Sequence, residues 1–594
     1  MSSSAVLLQF LNGLAGASSL FLVAAGLSLI FGVSRIVNFA HGSLYMLGMY
    51  VAVWLSPKVG FWLAVPLAAL AIAMVGLVVE TLLLRRIYRA PELLQLLATF
   101  ALVLIIRDLA LWLWGPEDML GPRAPGLAGA MSIAGGLFPE YELFLIAIGP
   151  AIFAALHLLL TRTRWGVLIR AATQDREMAA ALGVNQRLLF TSVFTLGALL
   201  AGLGGALAIP REPASLEIDL ALVSDAFVVV VVGGLGSIPG ALLAALLIGQ
   251  VKAFCIALGY SKMTLAIEFV VMAVVLVLRP WGLLGRPQAE ARGAAPAERL
   301  QFSRAERMAC IVLCVLLFAL PALSGPYTVV LLTDMLVFAL FAVSLHFIMG
   351  PGGMISFGHA AYFGVGAYAA AILVLRAGWP AEAALLLAPF AAACAALVFG
   401  WFSVRLSGVY MAMLTLAFAQ IAWSLAFQWD RVTGGSNGLI GVWPPQWLAA
   451  RSAYYFVTLL LVVASVLFLW RALGAPFGYA LRAGRDSALR ADAIGIDVRR
   501  RQWAAFTLAG AFAGLAGALF AFSKGSISPE TLSVPRSVDA LAMVLLGGVQ
   551  TLTGPVWGAG IFTWLQDVVS REIGFWRAAL GALLLMIVLW QSSR

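Results

Sequence analysis

Two short polar motifs recur in an otherwise apolar chain. Asn38 precedes His41 by three residues, and Ser356 precedes His359 at the same spacing. Residues three apart share a helix face, so each pair could offer polar side chains and a helix amino terminus to a passing carboxylate. Asn and Ser are also preferred at helix N-caps, and capping or packing therefore stays open as the alternative. The four residues are candidates for a substrate pathway.

A second pair of motifs lies in two basic loops, 163–185 and 475–497. The first loop has the E-A-A-x-x-x-G spacing, with Met178 at the second position, and the second loop keeps only part of it. The spacing is similar to that of the loops with which ABC-importer permeases contact their ATPases. A short amphipathic helix ended by glycine can sit in an ATPase cleft and act as a rigid lever. A solvated basic loop is the alternative. The candidate coupling residues are Arg170, Glu177, Ala179, Gly183, Arg482, Ala491 and Gly495.

Motifs for nucleotide or metal binding are missing from the sequence. No G-x-x-x-x-G-K-[ST] occurs, so the chain has no P-loop to hold ATP phosphates. The cysteines have neither C-x-x-C spacing nor histidines at metal-ligand spacing. We expect no catalytic residues, no bound cofactor and no metal, and any ATP must be used by partner subunits.

Composition explains why these polar residues stand out. Of the 594 residues, 63% are apolar and only 11% are charged, with a formal net charge of +10. Soluble domains carry roughly 25% charged residues, so this chain has too few to cover a water-facing surface. Its basic residues fall between long apolar runs, which indicates membrane topology rather than nucleic-acid binding.

Apolar runs of membrane-spanning length follow one another along the chain. The first lacks a basic n-region and exceeds the length of a signal-peptide core, so it predicts a retained spanning helix. An acidic stretch, 211–225, precedes a long apolar region, 226–258, which is either two short crossings or a re-entrant hairpin. We predict an all-α polytopic membrane protein with roughly 16 to 19 membrane segments. The runs before the middle of the chain are 5–33, 36–55, 61–84, 93–114, 141–160, 188–209, 226–258 and 263–284.

The second half of the chain repeats the first. Asn38 to His41, with Gly48 and Tyr50, match Ser356 to His359, Gly366 and Tyr368 at an offset of 318. The basic loops match at 312 and the glycine-rich segments, 233–240 and 547–554, at 314. Three similar offsets in one order indicate two homologous domains. We predict a first domain over 1–284, a cytoplasmic linker over 285–307 and a second domain over 308–594.

Charge distribution orients these domains. Placing the Arg-rich loops in the cytoplasm satisfies the positive-inside rule. The first half then begins outside and ends inside, so an additional helix, 308–323, allows the second half to keep the same orientation. The repeats are therefore expected to be parallel, with a central pathway between two similar halves. Arg107 and Asp108 lie inside an apolar run, where mutual or interhelical pairing is expected and a polar pathway is the alternative.

The motifs resemble a known family. The chain is similar to the two permeases of the branched-chain (hydrophobic) amino acid ABC importers, with an H-type permease fused ahead of an M-type permease. The H-type likeness lies in 36–42, 166–185 and 233–240, and the M-type likeness in 355–360, 433–439, 482–497 and 547–554. In this family the two permeases are usually separate polypeptides, so the fusion is a departure.

The resemblance implies a function and partners. It implies a permease of the bacterial inner membrane that works by alternating access, with two cytoplasmic ABC ATPases and an extracytoplasmic substrate-binding protein. A urea or short-amide ABC importer is the alternative within the same class. An ion-coupled secondary transporter would need a charged network at mid-membrane, and most charges here are predicted near helix ends.

Overall fold

The computed structural model describes residues 3–88, 90–285, 304–572 and 574–592. Most of the predicted linker, 286–303, lies outside the described residues. The chain divides into two compact units. Met1–Ala289 and Phe575–Arg594 form the first, and Glu290–Gly574 form the second.

Helices make up almost all of the first unit. A π-helical turn, Glu80–Leu84, links α3 to α4, and β1 pairs with β2 in an antiparallel hairpin. The last helix of the chain belongs to this unit, where it packs against α5. The elements are α1 Ser3–Ser34, α2 Ala40–Val59, α3 Phe61–Val79, α4 Arg85–Ile87, α5 Glu92–Trp114, β1 Ala130–Ile133, β2 Gly136–Pro139, α6 Glu140–Arg162, α7 Arg164–Gln174, α8 Arg176–Ala181, α9 Gln186–Ala208, α10 Ile218–Gly233, α11 Ile238–Ala257, α12 Thr264–Leu278 and α25 Trp576–Ser592.

Ten helices of the second unit repeat the order of helices in the first. Helices α14 to α17 correspond to α1, α2, α3 and α5, and α19 to α24 correspond to α6 to α11. Helix α13 comes before this series. The elements are α13 Arg304–Leu323, α14 Pro326–Met349, α15 His359–Leu375, α16 Ala381–Ser403, α17 Gly408–Gln428, α18 Asp430–Thr433, β3 Leu439–Ile440, α19 Arg451–Gly474, α20 Pro476–Asp486, α21 Ala488–Ala493, α22 Val498–Lys524, β4 Ser526–Ile527, α23 Val534–Gly547 and α24 Gly554–Glu572.

The predicted fold class is confirmed. Among the described residues, twelve helices are long and apolar enough to cross a membrane. Three shorter apolar helices, Ile311–Leu323, His359–Leu375 and Trp576–Trp590, accompany them. Helices α2, α10, α23 and α24 are not in either set. The chain is an all-α polytopic membrane protein built from two repeats.

Glycine allows one matching pair of helices in each unit to pack closely. A Cβ atom on Gly205 of α9 would lie 2.2 Å from the carbonyl oxygen of Tyr45 in α2. A Cβ on Gly517 of α22 would lie 1.8 Å from the carbonyl oxygen of Phe363 in α15. Only glycine permits these backbones to approach so closely, as at small-residue interfaces of membrane helices. The contact holds α2 and α15 in place. These two helices carry His41 and His359, the motif histidines, and are called the motif helices.

The structure differs from the expected segments at two places. Helix α2 begins at Ala40 and not at Ile36, where the expected run 36–55 begins. The mainly apolar segment Ile36–Phe39 is non-helical. Helix α10 begins at Ile218, inside the stretch expected to be an acidic loop. The glycine-rich segment ends α10 at Gly233, and α11 begins at Ile238, so 226–258 contains parts of two helices joined by a short turn. Ser237 caps the second helix by accepting a hydrogen bond from the Gly240 amide.

Candidate functional site

A non-helical segment precedes the motif helix in each unit. Between α1 and α2 the Val37 carbonyl oxygen accepts a hydrogen bond from Thr99 Oγ1 of α5 at 3.3 Å. Between α14 and α15 the Phe357 amide donates to Thr415 Oγ1 of α17 at 3.1 Å. Unpaired backbone groups are costly inside a membrane, and these threonines satisfy two of them. The motif helices therefore start inside the protein rather than at its surface.

His41 is the first motif histidine, and its side chain is fully buried. Its Nε2 lies 3.0 Å from the carbonyl oxygen of Val23 in α1. A carbonyl oxygen can only accept, so Nε2 carries the proton and donates. His41 also packs against Gly26, where an added Cβ would lie 3.0 Å from the imidazole Cε1. The imidazole thus joins the start of α2 to the middle of α1.

His359 occupies the matching place in the second unit, but a serine hydroxyl lies between its imidazole and the carbonyl oxygen of the preceding helix. Its Nε2 lies 2.8 Å from Ser344 Oγ, and that hydroxyl donates to the Phe341 carbonyl oxygen at 2.7 Å. Ser344 and Phe341 are 318 residues after Gly26 and Val23, the same offset that relates the two histidines. The hydroxyl therefore relays a contact that His41 makes directly. The imidazole also stacks on the Phe341 ring, with 5.5 Å between centroids.

The other two motif residues are buried as well. Asn38 has an exposed fraction of 1% and Ser356 of 0%. Asn38 Oδ1 accepts a hydrogen bond from the Ala40 amide at 3.1 Å, a local turn just before α2. In each motif some polar atoms have no hydrogen-bond partner in the described part of the chain. These atoms are Asn38 Nδ2, His41 Nδ1, Ser356 Oγ and His359 Nδ1.

In each unit, a residue of a neighbouring shorter helix makes a hydrogen bond to the first turn of the motif helix. In the first unit Ser43 Oγ donates to Asp219 Oδ2 of α10 at 3.2 Å. In the second unit Ser537 Oγ of α23 accepts from the Ala360 amide at 2.9 Å. The structure thus places Asp219 beside the first turn of α2 and Ser537 beside the first turn of α15, within separate units.

Arg107 and Asp108 pair with groups outside α5, as the sequence predicted. Arg107 Nη2 lies 3.8 Å from Glu217 Oε1, just before α10. Asp108 Oδ2 accepts a hydrogen bond from the Ala578 amide at 2.7 Å, in the first turn of α25. A carboxylate at a helix amino terminus satisfies free amides and complements the helix dipole. Asp108 therefore fixes the last helix of the chain to the first unit.

The two predicted coupling loops have the same local form. Helix α8 follows α7 after Asp175, which caps it, and α21 follows α20 after Ser487, which caps it. Each short helix ends before a glycine with positive φ, 84° at Gly183 and 85° at Gly495. Arg170 and Arg482 each donate to a carbonyl at the end of the preceding long helix, Leu160 and Leu473.

Burial divides these loops into an inner and an outer side. Ala179 and Ala491 are buried, with exposed fractions of 3% and 2%. Leu182, Leu489 and Ile494 are exposed by 78%, 84% and 74%. Leu182 and Ile494 lie at the ends of the two short helices, and Leu489 lies near the start of the second. The alanines position the short helices, and the exposed leucines and isoleucine are the residues that sequence reasoning missed.

The two predicted coupling loops also contact the non-helical segments before the motif helices. Arg485 of α20 donates to the Gly350 carbonyl oxygen at 2.9 Å, directly after α14. Arg35, directly after α1, donates to the Thr173 carbonyl oxygen of α7 at 3.5 Å. Each loop is thereby linked to the segment that leads to a motif histidine.

No group of three or more His, Cys, Asp or Glu side chains able to hold a metal ion is found within residues 3–88, 90–285, 304–572 and 574–592. The residues that sequence reasoning did not single out are Ser43, Thr99, Asp219, Ser344, Thr415 and Ser537. Asp219 had one signal, an acidic residue directly before a long apolar run. The others are ordinary Ser and Thr residues in apolar helices, and sequence offers no sign of their partners.

Comparison with known proteins assigns the family. The family described as branched-chain amino acid transport system / permease component matches residues 9–278 and again 327–589. The permease protein LivM of Escherichia coli K12 is 29% identical over 318 residues, covering 48% of this chain and 74% of LivM. BraD of Pseudomonas aeruginosa is 28% identical over 298 residues, covering 48% of this chain and 96% of BraD. LivH of Escherichia coli K12 is 25% identical over 301 residues, covering 48% of this chain and 96% of LivH.

These findings confirm the resemblance read from the motifs. The two family matches cover most of the chain and leave out the region between the repeats. A subunit of this kind is a transport protein and not an enzyme. The chain belongs to the branched-chain amino acid transport permease family, as a multi-pass bacterial membrane protein with two family domains fused in one polypeptide.

Proposed function

We propose that this chain is the transmembrane permease component of an ABC importer for branched-chain or other hydrophobic amino acids and forms its translocation pathway by alternating access. The observation that carries the proposal is the presence of two permease domains in one chain, each with a glycine-ended coupling loop. The names of the relatives supply the substrate class, since all three are branched-chain amino acid transport permeases. A urea or short-amide importer would share the loops and is the outcome that the experiment below must exclude.

Two cytoplasmic ABC ATPases are the proposed energy source. They would bind the loops through Leu182 in the first unit and through Leu489 and Ile494 in the second, whose side chains are exposed. The proposed coupling residues Arg170, Glu177, Ala179, Gly183, Arg482, Ala491 and Gly495 shape the short helices that carry these contacts. ATP would be bound by the ATPases and not by this chain.

Movement of a loop would reach the motif helix through the arginine contacts. When the ATPases close, α20 shifts, and Arg485 pulls on the Gly350 carbonyl at the end of α14. The non-helical segment after Gly350 leads directly to Ser356 and His359. In the first unit Arg35 and Thr173 make the matching link. Closure of the ATPases then shifts the population between outward-open and inward-open states.

The remaining assignments concern the domain boundaries, the linker and the substrate-binding protein. The first domain would span 1–284, the linker 285–307 and the second domain 308–594, with α13 supplying the additional crossing. The linker would act as a tether, since its Ala, Glu, Arg and Pro residues cannot bury apolar area. A substrate-binding protein would deliver the amino acid at the opposite face of the membrane.

Copurification and a substrate panel test the proposal. The tagged full chain, expressed with candidate ABC ATPases and binding proteins from the same genome, should copurify with two ATPase subunits in mild detergent. The binding protein should bind leucine, isoleucine or valine and not urea or acetamide. A chain that copurifies without ATPases, or a binding protein that takes only urea or amides, would contradict the proposal.

A further inference from the structure

A mixed cluster of charges lies in the first unit beside the start of α2. We call it the α5–α10 cluster, and its members are Arg107, Asp108, Glu217, Asp219 and Arg577. Arg107 lies 3.8 Å from Glu217, and Arg577 interacts electrostatically with the other four. Asp219 accepts from Ser43 of α2. Two cations and three carboxylates thus meet in a chain with few charged residues.

The members of the α5–α10 cluster range from exposed to fully buried. The side chain of Glu217 is 89% exposed and that of Arg107 is 18% exposed, whereas Asp219 is 1% exposed. Helix α10 has 16 residues. At 1.5 Å per residue it is about 24 Å long, which is shorter than a hydrocarbon core of about 30 Å. Asp219 lies in the first turn of this apolar helix and is a buried ionisable residue, a kind that in membrane proteins commonly marks a functional site.

Several polar atoms around the cluster have no partner in the described part of the chain. Arg107 Nε is buried without a hydrogen bond, and so is the hydroxyl of Tyr50. Tyr50 has an exposed fraction of 0% and interacts electrostatically with Arg107 and Asp219. Buried polar groups are almost always hydrogen-bonded, so orphaned donors within a group of interacting charges indicate a place for a polar ligand.

The second unit shows that the repeat folds without these charges. Helix α17, the counterpart of α5, contains no charged residue. Ser533 stands at the position of Asp219, at the offset of 314 that relates the glycine-rich segments. Tyr368, the counterpart of Tyr50, is buried and its hydroxyl also has no partner among the described residues. The charges of the first unit are therefore additional to what the fold requires.

We propose that Arg107 and Asp219 bind the carboxylate and the ammonium group of an amino acid zwitterion as it crosses the membrane. Arginine suits a carboxylate, because its planar guanidinium donates two parallel hydrogen bonds. Asp219 accepts hydrogen bonds from Ser43 and from the Leu220 amide, and its carboxylate interacts electrostatically with Tyr50. The inference rests on the proposed function, since urea and other uncharged solutes offer neither charge.

Uptake by the complete complex tests this inference. Full-length chain, ATPases and binding protein are reconstituted in vesicles, and leucine uptake is measured per ATP hydrolysed. Arg107→Gln and Asp219→Asn should each lower this ratio about tenfold, the loss expected for one charge-assisted hydrogen bond. Glu142→Gln is the matched control, because Glu142 pairs with Arg211 at 3.0 Å elsewhere in the same unit. It should stay within about twofold of the parent, as expected for a partly exposed pair.

A further variant separates a binding defect from misfolding. Asp219→Ser places in the first repeat the residue that the second repeat carries as Ser533, so it should fold and still lose uptake. Parental leucine uptake by Asp219→Ser, or by both other variants, would overturn the inference and leave the proposed function intact. A parental complex that carries urea but no amino acid would overturn both.

Discussion

Nε2 of His41 lies 3.0 Å from the carbonyl oxygen of Val23, so a buried imidazole ties the start of α2 to α1. The second repeat makes the same tie through one additional atom, the hydroxyl of Ser344. In both repeats the partner of Nε2 leaves Nδ1 as the unprotonated nitrogen, and Nδ1 has no partner in the described residues. The two histidines thus share one tautomer and one place in the fold.

Removing the Ser344 hydroxyl, which links His359 to Phe341, should destabilise the second unit. Ser344→Ala leaves His359 Nε2 buried without an acceptor, and we expect a loss of about 1 kcal/mol in unfolding free energy. The measurement is the thermal midpoint of the purified full chain in detergent. Ser403→Ala is the matched control, since Ser403 is equally buried but bonds only to Phe399 of its own helix. Equal midpoints for the two variants would show that the relay contributes nothing.

The motif histidines should also matter for transport. Replacing both with leucine, His41→Leu and His359→Leu, removes the ties between the motif helices and the helices before them. We expect slower ATP-driven uptake with unchanged ATPase docking and membrane insertion, because the changes lie away from the coupling loops. Uptake at the parental rate by a well-expressed double variant would show that the histidines only pack their helices.

Exposed residues of the coupling loops should bind different ATPase surfaces. Leu182 and Ile494 are exposed, and Glu177 in the first loop corresponds to Leu489 in the second. Cysteines at 182 and 494 should therefore crosslink to two distinct ATPase sites. Leu182→Asp should weaken ATPase copurification, because it places a charge in an apolar contact. Leu120→Asp, at an exposed leucine between α5 and β1, is the control and should change nothing. Crosslinks from both positions to one surface of one polypeptide would contradict the prediction.

Cutting the chain near Gly293 should leave the protein assembled. Helix α25 packs against α5, and Asp108 caps it through the Ala578 amide, so the carboxyl-terminal fragment completes the first unit. We expect the two fragments to copurify and to transport nearly as well as the intact chain. Asp108→Ala in the cut protein should weaken their association, since a lost cap costs about 1 kcal/mol. Separation of the fragments without this substitution would refute the tether function of the linker.

The sequence predicted the parts of this account that depend on repetition and apolar length. Matched offsets revealed the two domains. The spacing of Asn38 to His41 and of Ser356 to His359 predicted one shared helix face, with capping as the alternative, but Asn38 and Ser356 lie in the non-helical segments before α2 and α15. Apolar runs could not reveal that Ile36–Phe39 is non-helical, because hydropathy does not distinguish a helix from a buried extended segment. Nor could they pair Ser344 with His359 or Asp108 with Ala578, since such contacts depend on tertiary packing.

Leucine uptake by reconstituted vesicles tests the central claim most directly. Vesicles with the full chain, both ATPases and the binding protein should accumulate leucine when ATP is supplied on the ATPase side. Vesicles that lack the ATPases should accumulate none, because the sequence contains no P-loop. ATP-dependent uptake by the purified chain alone, or no leucine uptake by the complete complex, would contradict the assignment as an ABC importer permease for hydrophobic amino acids.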